Sequence, residues 1–224
     1  MGMQLKTMSL GDLAAANSAA TRVFLRHHLD FCCGGKQSLE DACQKAGLDP
    51  TAIVSELEHE ARGDTAITWD QLTQRELADE IESRYHTALR RDVPPLVEAA
   101  RKVERVHAQK PAVPAGLADV LSEFLDDMDR HMQKEEKILF PMIRRGMQGE
   151  AVYMPIRVME SEHESHAEHL KRIRELTGDL RLPAYACATW TALYHGLLAM
   201  EAELMQHIHL ENNILFARAI RGAA

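Results

Sequence analysis

The sequence predicts an all-α protein: an antiparallel four-helix bundle in residues 73–224, preceded by a small helical domain in residues 1–63, with 64–72 as a linker. Three observations carry this. Apolar residues recur at helical spacing through long segments, and no useful length alternates as a half-buried strand does. In addition, two stretches nearly repeat each other: residues 131–146 (HMQKEEKILFPMIRRG) and 207–222 (HIHLENNILFARAIRG) match at His, Glu, Ile, Leu, Phe, Arg and Gly.

The N-terminal part divides at its punctuation. Ser9 with Asp12 has the form of a capping box, and the Ala-rich run after it is expected to stay helical to Arg26. Gly34-Gly35 then breaks the chain just after Cys32-Cys33. Ser38 starts a second helix that Gly47 closes, and Asp49-Pro50 starts a third that stops at Gly63. Three short helices around a cysteine-bearing turn are predicted.

Thr73 with Glu76 opens the bundle. Its first helix carries Tyr85-His86, is expected to end or kink at Pro94-Pro95, and resumes to His107. The second starts near Gly116, and Leu117, Leu121, Phe124 and Met128 form a stripe that His131 and Glu135 continue. Pro155 is expected to open the third, with Ile156, Met159, His163, Leu170 and Ile173 on one face. The last carries Trp190, Leu193, Leu197, Met200, Leu204, His207, Glu211 and Leu215.

The repeat bears the chemistry. His131 with Glu135, and His207 with Glu211, stand one turn apart on one helix face. His86 precedes the first pair and His163 the second by nearly equal lengths, so each half is a hairpin contributing two histidines and one glutamate. A buried ionised Glu without a partner costs several kcal/mol. One lone pair is more simply a satisfied His–Glu contact, but two matched pairs favour metal. Two imidazoles for each of two metals, with Glu135 and Glu211 bridging and one solvent-derived oxo or hydroxo bridge, leave each metal an open position. Nitrogen–oxygen donors suit iron, manganese shares them, and the HExxH zinc pattern is absent. His166 is the alternative ligand beside His163, and Tyr85 lies nearer the centre of its helix face than His86. His169 and His209 are placed on the outer face, His195 at the surface, and His107 in a structural or supporting role.

Cys32-Cys33 is not a CxxC motif, and a disulfide between neighbours strains the intervening peptide. Exposed, partly ionised thiols able to hold a soft metal, NO or a sulfane are expected; the simpler alternative is two small residues in a tight turn. Cys43 and Cys187 are read as core packing.

The 224 residues carry a net charge of −8, which argues against general nucleic-acid binding. The first twenty residues lack the basic head and apolar run of a signal peptide, and no apolar stretch is long enough for a membrane span. With four cysteines, two of them adjacent, the expectation is a reduced, cytoplasmic protein.

With these residues assembled, the chain resembles the repair-of-iron-centres (RIC) family over nearly its whole length. The resemblance rests on Asp30-Phe31-Cys32-Cys33-Gly34-Gly35-Lys36, on Arg84-Tyr85-His86, and on Lys102 to Ala108 (KVERVHA). It continues through His131-Met132, Lys134-Glu135-Glu136 and Ile138 to Ile143, then Met159 to His163 and His207 with Leu210 to Asn213. It implies a hemerythrin-like di-iron bundle whose ligands are His86, His131, Glu135, His163, His207 and Glu211, with Cys32 and Cys33 on a separate small domain. It further implies repair of iron–sulfur clusters damaged by nitrosative or oxidative stress. The expected partners are damaged iron–sulfur proteins, with NO or O2 as small ligands. Iron donation with the thiols as relay, and NO scavenging or reduction to N2O, use the same site. An O2 carrier is disfavoured because the oxygen-binding hemerythrins supply a fifth histidine that this set lacks.

Overall fold

The computed structural model describes residues 2–61 and 69–222, and the fold is all-α. The N-terminal part holds α1 (Gly2–Thr7), α2 (Leu10–Ala16), α3 (Ser18–Arg26), α4 (Leu39–Ala46) and α5 (Pro50–Ala61). These are five helices where three are predicted. The run expected to be continuous to Arg26 is interrupted at Asn17, whose extended backbone ends α2 and whose side chain accepts the Ala19 N–H at 2.9 Å. Asn competes for neighbouring backbone groups and so favours a cap over a helix interior. Ser9 caps α2, Ser38 caps α4, and Gly47 (φ +68°) closes α4 as expected. Leu10, Leu13, Val23, Phe24, Phe31, Leu39, Cys43, Ile53 and Leu57 form the core of this part.

The predicted stop at Gly63 and residues 64–68 of the predicted linker lie outside the described residues; Trp69–Gln71 is one 3-10 turn. Four long helical runs come next, at 74–106, 117–144, 150–177 and 188–221. Thr73 and Glu76 cap the first reciprocally, Glu76 Oε2 accepting the Thr73 N–H at 2.8 Å and Thr73 Oγ1 the Glu76 N–H at 3.2 Å.

Pro94 and Pro95, expected to end or kink the first helix, lie within α7 (Thr87–Val106) without ending it; Pro155, expected to open the third, is a correction, for it lies within a helix that begins at Glu150. A proline inside a helix costs about 3 kcal/mol by freeing a carbonyl one turn earlier. Arg91 and Ala151, one turn before Pro95 and Pro155, are exposed, and Arg90, one turn before Pro94, is half-buried, so water can come near the freed carbonyls. Leu89, Val93 and Val97 of α7 are buried at about 1.5–3 kcal/mol each, which outweighs the loss.

The described chain divides into two compact units: residues up to Asp79 with Met142–Ile156 and the residues from Met205 on, and Glu80–Pro141 with Arg157–Leu204. In the second unit, α7 and the helix beginning at Ala188 come close at Gly196, where a Cβ would lie 2.5 Å from Leu96 Cδ2.

Candidate metal centre

Three π-helical segments interrupt the long runs, at Ile81–His86, Glu135–Leu139 and Leu210–Leu215. Each carries a predicted ligand: His86, Glu135 and Glu211. A π turn holds one more residue than an α turn and re-aims the side chains around it, which is why such turns gather at functional sites. No glycine or proline lies in these segments, so their spacing in the sequence gives no sign of them.

All six predicted ligands are almost fully buried. In the second unit, Glu135 Oε2 stands 3.4 Å from His86 Nε2 and 3.5 Å from His131 Nε2, and His131 Nε2 stands 3.0 Å from His163 Nε2. In the first, His207 Nε2 is 2.9 Å from Glu211 Oε1.

Both Glu135 oxygens are buried and make no hydrogen bond. A desolvated carboxylate left this way costs several kcal/mol, and a bound cation removes that cost. The donor set of imidazole and carboxylate fits such a cation, and the buried His and Glu groups fit a metal site.

Two further carboxylates brace the imidazoles, and the sequence pattern gave them no role. Glu136 Oε1 lies 2.8 Å from His86 Nδ1 and is held by Arg90 at 2.6 Å. Glu162 Oε2 lies 2.9 Å from His131 Nδ1, and Lys134 pairs with its other oxygen. A carboxylate beside Nδ1 keeps the proton there and leaves the Nε2 lone pair for a metal. Burial pushes the Glu136 carboxyl up, but hydrogen bonds from Arg90 and His86 bring it below its ordinary value. Glu162 is brought down to about 2, chiefly by its hydrogen bond to His131 and then by Lys134. The signal that could have found both is adjacency to a ligand: Glu136 stands directly after Glu135, and Glu162 directly before His163.

Other histidines separate on contact. His166 is buried with its ring edge-on to His131, centroids 4.8 Å apart, but is not among the residues whose ligand atoms cluster. His195 is exposed, and His169 is half-buried against Asp127 at 3.1 Å. His209 is a correction: expected on the outer face, it is fully buried. Its ring packs edge-on against Phe31 at 5.6 Å, and Asn213 Nδ2 lies 3.1 Å from its Nδ1. Helical periodicity failed there because the residues around Phe31 supply a second surface that an isolated helix does not reveal.

The cysteine turn is also corrected in part. Asp30 Oδ1 accepts the backbone N–H groups of Cys32 (3.1 Å) and Cys33 (3.0 Å) and lies 3.2 Å from Cys32 Sγ. The sulfurs are unbridged thiols 3.8 Å apart. Cys32 is buried rather than exposed, and the neighbouring Cys33 sulfur, burial and Asp30 all push its thiol well up, away from the expected partial thiolate. Asp30, Cys32 and Cys33 nonetheless bring three potential ligand atoms together. Asn213 Nδ2 donates to Phe31 O at 3.0 Å and approaches Cys32 O at 3.4 Å, tying this turn to the segment that carries Glu211. Gly35 belongs to the same contact: a Cβ there would sit 2.6 Å from Phe31 O and 2.9 Å from Asn213 Oδ1. Cys187, expected in a core, is half-buried with His107 Nε2 3.2 Å from its sulfur.

Comparison with known proteins agrees with this arrangement. Residues 77–219 match the hemerythrin HHE cation binding domain, and residues 6–61 match a domain of unknown function (DUF542). The iron-sulfur cluster repair protein YtfE of Yersinia pseudotuberculosis serotype IB (strain PB1/+) is 47% identical over 221 residues, covering 98% of this chain and 100% of the relative. That of Yersinia pestis (strain Pestoides F) is similar to the same extent. The four long runs are thus an antiparallel helical bundle of hemerythrin type behind a small helical part, and the chain belongs to the repair-of-iron-centres family.

Proposed function

We propose that this protein restores damaged iron–sulfur clusters, drawing on two irons held by His86, His131, Glu135, His163, His207 and Glu211. One observation carries the di-iron reading: Glu135, with neither oxygen hydrogen-bonded, lies 3.4 Å from His86 Nε2 and 3.5 Å from His131 Nε2, as a carboxylate shared by two metals would. Glu135, and Glu211 in the second copy, would hold the two metals together with the four histidines. Nitrogen and oxygen donors favour iron over a thiolate-seeking metal. When bound, the pair supplies iron that can be given up, with open positions for NO or O2.

The chain's own groups do the rest. Glu136 and Glu162 hold His86 and His131 in the ligating orientation, and burial keeps bulk water from the carboxylates. Cys32 and Cys33, in the part spanning 1–63, receive or relay iron or NO released by the part spanning 73–224. The damaged iron–sulfur proteins are the partners. Among the described residues no helix is long and apolar enough to cross a membrane; a reduced cytoplasm is the setting we assign.

The test is iron content and Mössbauer spectrum before and after incubation with a cluster-depleted protein. Iron moving from this chain into a rebuilt cluster supports donation. N2O formed from NO under reductant, with no iron transferred, would replace donation by NO chemistry at the same centre.

A further inference from the structure

Cys187 stands apart from the other cysteines and from the metal centre's ligands. It immediately precedes α11 (Ala188–His209), a 22-residue helix. His107 Nε2 lies 3.2 Å from its sulfur, and its carbonyl accepts the Thr191 N–H at 2.9 Å. His107 is fixed in turn: its ring lies against that of buried Trp190, centroids 5.0 Å apart. Tyr185 closes on the same indole edge-on at 6.2 Å, with Lys110 over the Tyr185 ring at 5.3 Å.

This is a dyad of nucleophile and base on an aromatic support. A serine would cap the helix as well, so capping alone does not call for sulfur. The N–H of Trp190 first, then His107, draw the Cys187 thiol down to about 7 against an opposing effect of burial. Cys43 is pushed up by burial and then by Asp49, and Cys32 by the Cys33 sulfur, burial and Asp30, so neither competes at neutral pH.

We propose that Cys187 and His107 form a second reactive site, where a hydroperoxide, hydrogen peroxide being the simplest, oxidises the Cys187 thiolate to a sulfenic acid. The sulfur pair attacks one peroxide oxygen; an S–O bond forms and the O–O bond breaks. Sulfur loses two electrons and the peroxide gains them. The departing hydroxide takes its proton from His107 and leaves as water. This proposal does not rest on the reading of the metal centre.

The experiment uses the full-length, iron-loaded protein. Iodoacetamide alkylation is followed by peptide mass spectrometry from pH 5.5 to 9, and dimedone trapping is applied after one equivalent of hydrogen peroxide. Cys187 should be alkylated at least about tenfold faster than Cys32 or Cys43 at pH 7, with a rate rising through pH about 7. His107→Asn should move that midpoint up toward about 8.5, the value of an unassisted thiol, and reduce the dimedone adduct. Cys187→Ser should abolish the adduct at an unchanged iron content. Alkylation of Cys187 no faster than of Cys43, a midpoint unmoved in His107→Asn, or dimedone captured only at Cys32 or Cys33 would each overturn the proposal.

Discussion

The two copies of His-x-x-x-Glu differ in the residues after the glutamate, and that difference decides the surroundings to which each copy is joined. After Glu135 come Glu136 and Lys137; after Glu211 come Asn212 and Asn213. A carboxylate can only accept, so Glu136 accepts the Nδ1–H of His86 and fixes the orientation of that proposed ligand. An amide can donate, so Asn213 reaches the carbonyls of Phe31 and Cys32, and Asn212 approaches Cys32 O at 3.5 Å. Lys137, at the place of Asn213, is exposed and bonds Gln133 one turn back, at 2.8 Å. One copy is braced within the bundle. The other serves the cysteine turn. A duplicated motif thus keeps its ligands and lets the adjoining positions diverge.

Iron content per chain is the measurement that breaks or sharpens this comparison. The largest effect should come where the copies are alike: Glu135→Ala or Glu211→Ala should each cut iron from about two per chain to below one, as the proposed bridging of both metals requires. His195→Ala, at the surface, should stay at the wild-type level. Equal iron loss in all three variants would refute the ligand assignment.

The next effect separates the copies. Glu136→Ala and Glu162→Ala should weaken iron binding about 10- to 100-fold, the usual consequence of removing a hydrogen-bond partner behind a metal ligand. Asn212→Ala, at the position matching Glu136, should leave iron affinity within about twofold. Competition against a chelator reads both, and equal weakening would show that the copies are braced alike.

A smaller effect is expected at the cysteine turn. Asn213→Ala leaves buried carbonyls of Phe31 and Cys32 without that donor, at about 1–3 kcal/mol. Cys32 should become more accessible to alkylation while iron stays near two per chain. An unchanged rate would mean that Asn213 does not hold the turn.

The smallest effect on iron should come from replacing Cys32 and Cys33 together by Ser. Ser can keep the hydrogen bond to Asp30, so the chain should fold and load fully, yet cluster repair should fall because no thiol remains to relay iron. Full repair in that variant would reduce the turn to a structural element.

Helical periodicity and the repeat determined a good deal by themselves. The all-α class, the caps at Ser9, Ser38 and Thr73, and the burial of His131, Glu135, His207 and Glu211 come from local spacing, because an i,i+4 pair on an apolar stripe must share its face. The family motifs were equally legible. Only tertiary structure decided the rest. Pro94, Pro95 and Pro155 remain inside helices because the opposite face packs well enough to outweigh the lost hydrogen bonds. Glu136 and Glu162 find imidazoles 50 and 31 residues away in the chain, beyond the reach of any periodicity. The π turns, the burial of His209 against Phe31 and the pairing of His107 with Cys187 arise in the same way. Each depends on which surface a second segment brings against the first, and a helix's own pattern encodes only that it has a buried face, not what will cover it.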